Sequence, residues 1–137
     1  MSIEHGLRRI TDAASRSSVL RAIVLHPVVA RPGYWIATVA GYSWGFVMSR
    51  GHVREDHGIH VATGMPKWSF GRGGTTIGAV YLTRDNDSVP VLEHEAVHRE
   101  QWRTYGLVFI PLYVAAGADA RTNRFEVEAG LEKGGYA

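Results

Sequence analysis

Five residues have the types and spacing of a metal-assisted reaction site: His94-Glu95-Ala96-Val97-His98. On a helix, residues four apart lie on one face a turn apart, so both imidazoles can reach a single ion. Glu95 is displaced around the same helix, where it can approach a water and take its proton. Two imidazoles do not complete such a site, because a catalytic ion takes three protein ligands and leaves the next position to water. No histidine follows His98, and Thr104 stands where a third histidine six residues on would be. The downstream candidates are therefore the carboxylates Asp119, Glu126 and Glu128.

The segment Asn123-Arg124-Phe125-Glu126-Val127-Glu128-Ala129-Gly130 reads as a helix. Asn123, Glu126, Ala129 and Gly130 share a face whose small residues allow close approach to the histidine helix. Glu128 points about 160° away from Glu126, towards solvent. Glu126 is thus the expected third ligand.

Composition sets the limits of this chemistry. The 137 residues are about the size of one domain, and 45 % hydrophobic with 20 % charged residues is ordinary for a globular chain. The absence of cysteine excludes disulfides, thiolate zinc sites, iron–sulfur clusters and a thiol nucleophile, so any metal must be held by histidine and carboxylate. A net charge of +2 is too small to argue for nucleic acid, and none is expected as a partner. Residues 1–80 carry nine basic and four acidic side chains, residues 81–137 six basic and nine acidic, so the candidate cation site lies in the acidic half.

The elements that must position these residues fall into three blocks. Residues 1–50 read as helical: a helix within residues 12–25 buries Val19, Leu20, Ile23 and Val24 after Asp12 and a serine-rich cap, and ends at Pro27 and an Arg31-Pro32-Gly33 turn. An apolar segment from Trp35 to Met48 follows, which periodicity alone leaves as helix or buried strand and which is read as a helix. Residues 51–83 are punctuated by glycine and give strands at 58–63 and 75–83 as a short hairpin or small sheet. Residues 65–74 between them form a glycine-rich exposed loop that lacks the phosphate-loop pattern. Residues 84–137 carry the metal-site helices: one capped by Asp87 or Ser88, with Pro90 in its first turn and Gly106 as terminator, then an apolar helix over 107–118, then the Glu126 helix.

The apolar stretches 22–30, 34–48 and 107–118 are each shorter than a membrane span and are expected as buried helices, with peripheral membrane contact left open. The N-terminus has no secretory signal, which makes a cytoplasmic location the expectation. Trp35, Trp44, Trp68 and Trp102 are expected at the core or its edge, and Trp68 beside Lys67 is also a candidate surface contact. His52, His57 and His60 are read as part of a solvated loop with Arg54, Glu55 and Asp56 rather than as a second metal site.

The strand at 75–83, the His94–His98 motif, and Asn123 with Glu126 together resemble the gluzincin metallopeptidases, the thermolysin-like zincins, over residues 75–130. They also resemble short bacterial zincin-like proteins of unassigned function that extend the motif as His-Glu-x-x-His-x-x-Gln, matched by Gln101. Asn123 stands three residues before Glu126 rather than next to it as in the gluzincin run.

The resemblance implies one α+β domain of minimal zincin-like fold. It implies Zn2+ on His94, His98 and Glu126, with Glu95 as general base for a water that attacks a peptide carbonyl. A peptide or protein substrate would pair with an edge strand at 75–83. Gln101 and Asn123 are candidate supports of the ligands. Tyr105, Arg121, His60 and Tyr136 are candidate oxyanion donors, with none preferred. The alternative is a catalytically silent zincin-like metal-binding domain acting as a partner-binding or regulatory module. A two-histidine, one-carboxylate iron site is a further reading, against which Glu95 would be left without a role.

Overall fold

A computed structural model describes residues 18–136 and gives an α+β arrangement. Helices α1 (Ser18–Leu25) and α2 (Pro27–Met48) lead into strands β1 (Val53–Asp56), β2 (Ile59–Ala62), β3 (Gly74–Ile77) and β4 (Val80–Thr83). Helices α3 (Val89–Tyr105), α4 (Phe109–Ala115) and α5 (Arg124–Ala129) follow. Asp12 and the start of the expected first helix lie outside the described residues.

The two N-terminal helices differ from expectation. Pro27 does separate α1 from α2, with His26 as N-cap and its Nδ1 accepting from the Val28 N–H at 3.2 Å. Arg31-Pro32-Gly33, however, is helix and not a turn. Pro32 sits early in α2, where its missing N–H costs one bond to Val28, whose surroundings are open to solvent. Nor do the helices bury their large apolar residues: Val19, Leu20 and Ile23 are exposed, as are Trp35, Trp44 and Trp68, and of the tryptophans only Trp102 is buried. The buried face of α2 is made of Ala30, Gly33, Tyr34, Ala37, Thr38, Gly41 and Gly45. A Cβ at Gly45 would lie 2.8 Å from Leu82 Cδ2, which shows how closely the helix lies on the sheet.

The sheet has the order β1-β2-β4-β3. β1 and β2 form a hairpin through His57 and Gly58, both at positive φ, the pair of conformations that suits a two-residue loop between twisted strands. β1 was expected as loop; three of its four residues are polar and two are exposed, and pairing with β2 makes it a strand. The expected single strand at 75–83 is two strands, β3 and β4, reversed at Gly78-Ala79. Gly78 has φ +60° beneath Thr38, and a Cβ there would lie 2.6 Å from the Thr38 backbone nitrogen. β4 is wholly buried and pairs in parallel with β2, so of these two strands β3 alone lies at an edge of the sheet, with β1 at the opposite edge.

Helix α3 has the ends its sequence signals indicate, with Ser88 at the N-cap position, though its side chain makes no capping hydrogen bond, Pro90 in the first turn and Gly106 at φ +61° after the last. Leu92 and Val91 pack on Ile59, Val61 and Tyr81 of the sheet. Trp102, Phe109 and Phe125 join α3, α4 and α5 in a second cluster with Tyr34 and Ala37 of α2. Helix α3 is therefore clamped between the sheet and α5. Among the described residues no helix is long and apolar enough to cross a membrane.

Candidate metal centre

Two short helices deliver the third carboxylate to the histidines. Asn123 is the N-cap of α5: its Oδ1 accepts from the Phe125 N–H at 3.0 Å. Its Nδ2 donates to the carbonyls of Tyr113 and Gly117, at 3.1 and 2.9 Å, so one fully buried side chain starts α5 and ties it to the end of α4. That fixes Glu126, in the first turn of α5, against α3. Asn123 supports the site through the helix and does not touch a histidine ring.

His94 Nε2, His98 Nε2 and Glu126 Oε2 form a small triangle. The nitrogens are 3.0 Å apart, and the carboxylate oxygen is 2.9 Å from His94 and 3.2 Å from His98. All three residues are buried. The far side of each ring decides what this triangle is. His94 Nδ1 faces the Gly130 carbonyl at 2.8 Å, and a carbonyl oxygen only accepts, so Nδ1 carries the proton. His98 Nδ1 faces Gln101 Oε1 at 2.7 Å, and the Gln101 amide is oriented by donating from Nε2 to the Phe125 carbonyl at 3.0 Å.

With both Nδ1 atoms committed as donors, a ring without a second proton points a bare Nε2 lone pair at the other ring and at a carboxylate oxygen. Three converging acceptors in a buried site repel unless a cation sits among them. A tetrahedral zinc with bonds of about 2.0–2.1 Å needs donor atoms about 3.3 Å apart, a few tenths of an ångström wider than this triangle. Two imidazoles and a carboxylate, with both imidazoles oriented from behind, make a donor set that fits such an ion.

Electrostatics follow from the same contacts. Without a metal ion, protons take the cation's place: burial opposes the charge of Glu126, but hydrogen bonds from His94 and His98, the charge of protonated His98 and the Tyr113 hydroxyl hold its carboxyl well below the usual carboxylate range. Against the effect of burial, Glu126 in turn raises His98. Burial pushes the Glu95 carboxyl up, against the opposing pull of His98 and of a hydrogen bond from Thr76. Burial likewise raises Tyr113, aided by the adjacent Glu126 carboxylate.

Glu95 stands beside the triangle and is not one of its corners. It has an oxygen within 4.8 Å of ring nitrogens of both histidines, and its Oε2 accepts from Thr76 Oγ1 of the edge strand at 2.6 Å. Glu126 reaches the Nε2 atoms at 2.9 and 3.2 Å, from α5. A cavity of about 430 Å3 opens on this side, lined by Glu95, His98 and Glu126, by β3, by Trp102 and Phe109, and by Arg72, Tyr113 and Tyr136.

Of the four oxyanion candidates only Tyr136 lines this cavity, its ring 5.9 Å from that of His94. Tyr105 packs on Phe109 and Phe125, Arg121 pairs with Asp119 in solvent, and His60 lies on β2 against Tyr42. Glu128 is exposed, 3.4 Å from Gln101 Nε2, and Asp119 is exposed as well. His52 bonds the Ser49 carbonyl and His57 bonds Asp56, and no metal-ligand group forms around them among the described residues.

Three cavity residues were not among those the sequence singled out. Arg72, from the glycine-rich loop, reaches Tyr113 and Tyr136 hydroxyls at 3.4 Å each, the Ala118 carbonyl at 2.7 Å and Glu126 at 3.9 Å. Tyr113 donates to Glu126 Oε1, and Thr76 holds Glu95. A polar side chain inside an otherwise apolar helix is the one hint that marked Tyr113. Compared with protein-family models, curated proteins and solved structures, the chain has no match.

Proposed function

We propose that the protein is a zincin-type, zinc-dependent hydrolase acting on peptide bonds. The observation that carries this reading is the triangle of His94 Nε2, His98 Nε2 and Glu126 Oε2, whose three lone pairs converge because Gly130 and Gln101 fix both imidazoles from behind. These three residues hold the ion. When bound, Zn2+ supplies Lewis acidity towards a carbonyl oxygen and lowers the pKa of water at its open position.

The remaining chemistry belongs to the chain. Glu95, held by Thr76 on the cavity side, takes a proton from the attacking water and returns it to the departing amine. Its buried position keeps its proton affinity above that of an exposed carboxylate, which suits a group that must accept a proton and release it. Tyr136 and Arg72 line the cavity and supply donors for negative charge developing on the substrate oxygen. Edge strand β3 borders the same cavity, where an extended peptide can align with its backbone. Glu95 also favours zinc hydrolysis over a two-histidine, one-carboxylate iron centre, which has no use for a base in this position.

The test is elemental analysis of purified protein together with a peptide-library cleavage assay on the wild type and on Glu95→Gln. The expected result is about one zinc per chain in both and cleavage only by the wild type, since the variant loses the base and no ligand. Zinc in both with no cleavage by the wild type leaves a silent metal-binding module in place of the enzyme. Absence of metal after zinc is offered overturns the centre itself.

A further inference from the structure

Apart from Tyr34, helix α2 is built with its small residues inside and its large apolar residues outside. Gly33, Ala37, Gly41 and Gly45 recur at four-residue spacing on the buried face, and they let the backbone come so close that a Cβ at Gly41 would lie 3.0 Å from the Ile77 carbonyl oxygen. The opposite face carries Val28, Trp35, Ile36, Val39, Phe46 and Val47, each more than half exposed. A helix that docks only on a water-soluble core buries the large residues and turns charge outward. The inverted pattern is the one that helices use when the surrounding medium is apolar.

Two polar side chains of this helix are satisfied internally. Ser43 Oγ donates to the Val39 carbonyl at 2.8 Å, and Trp44 Nε1 donates to the Ser69 carbonyl at 2.8 Å. Trp44 in turn meets the ring of exposed Trp68, 6.0 Å away, so two tryptophans and Lys67 flank the stripe. Charge completes the picture: the sequence has no acidic residue between Asp12 and Glu55, while Arg21, Arg31 and Arg50 lie in that interval. Because the other face of α2 is packed on the sheet, the helix cannot be surrounded by lipid.

We infer that the outer face of α2, with Trp44 and Trp68 at its margin, docks on the surface of an anionic lipid bilayer. The apolar stripe enters the headgroup–acyl boundary, the tryptophans sit at interfacial depth, and the arginines meet acidic headgroups. This docking is independent of the hydrolase reading.

The experiment is flotation of the full chain with phosphatidylglycerol-containing vesicles and with phosphatidylcholine vesicles, for the wild type and for a Trp35→Glu/Val39→Glu/Phe46→Glu variant. The wild type is expected to float with the anionic vesicles, less so at high salt and with neutral lipid, and the variant to bind at least about tenfold more weakly. Brominated lipid is expected to quench wild-type tryptophan fluorescence, a readout that does not depend on the variant folding. No flotation, equal binding to neutral lipid, unchanged binding by a folded variant, or unquenched tryptophan overturns the proposal. A lipid-free dimer that the substitutions dissociate, seen by sedimentation velocity, also overturns it and names a second copy as the occupant.

Discussion

Glu126 Oε2 lies 2.9 Å from His94 Nε2 although 32 residues separate them, and the same oxygen lies 3.2 Å from His98 Nε2. One carboxylate oxygen shared between two imidazole nitrogens is what distinguishes Glu126 from the other acidic residues downstream of the motif. It follows that Glu126→Ala should lower zinc affinity by at least about a hundredfold, whereas Glu128→Ala should change it little. Competition with a chromogenic chelator measures both. Equal losses, or the reverse order, would remove Glu126 from the ligand set.

On the proposed zinc reading, Gln101 acts on the candidate metal site through His98. Its Oε1 accepts from His98 Nδ1, and its Nε2 is anchored on the Phe125 carbonyl. Gln101→Ala leaves the ring free to rotate and to change tautomer, at an expected cost of about 10–100-fold in metal affinity. Gln101→Glu keeps the acceptor and is expected to retain more of the affinity than alanine. If alanine and glutamate weaken zinc binding alike, orientation of His98 is not what Gln101 contributes.

Tyr136 and Tyr105 were equal candidates in the sequence and are separated by the fold. Tyr136 lines the cavity, while Tyr105 packs among Phe109 and Phe125. On the hydrolase reading, Tyr136→Phe is expected to lower kcat by about tenfold or more with zinc retained, and Tyr105→Phe to leave kcat within about twofold. Steady-state kinetics on one cleaved peptide, with metal content measured in parallel, decides between them.

Thr76 links the edge strand to Glu95, the base on the hydrolase reading, its hydroxyl donating to Glu95 Oε2. Thr76→Val preserves shape and removes that donor. Zinc content should be unchanged, and turnover should fall by about tenfold as Glu95 loses its orientation. Turnover equal to that of wild type would show that Glu95 is positioned without Thr76.

Gly106 ends α3 at φ +61°, and a Cβ there would lie 2.4 Å from the Ala30 carbonyl oxygen of α2. Gly106→Ala therefore meets both backbone strain and a backbone clash, and should destabilise the fold by about 2 kcal/mol or more. Thermal unfolding followed by circular dichroism measures this. A melting temperature unchanged within error would mean that α2 and α3 can part here at no cost.

Much of the site was legible because it is local. The four-residue spacing of His94 and His98, the Ser88 and Gly106 ends of α3 and the inward phase of Glu126 on α5 depend on helix geometry that the chain imposes within a few residues. The same reasoning failed where a residue's environment is supplied from afar. An apolar helix reads as core in any sequence, yet α2 turns Trp35, Val39 and Phe46 outward because Gly33, Gly41 and Gly45 fit the sheet and the α3–α4 turn more closely. The run 75–83 looked like one strand because a reversal at Gly78 becomes necessary only when Thr38 lies above it.

By itself the sequence determined the kinds of donor available, two imidazoles and a choice of carboxylates without any thiol, and the helix that carries the imidazoles. Tertiary structure alone decided which atoms meet. Asn123 bonds across to α4, Gly130 and Gln101 fix the imidazole protons, and Arg72, Tyr113 and Thr76 arrive from three separate elements to build the cavity. The physical reason is range: helix phase and caps are set over a few residues, whereas convergent lone pairs and a shared cavity wall exist only once the sheet, α3 and α5 have packed.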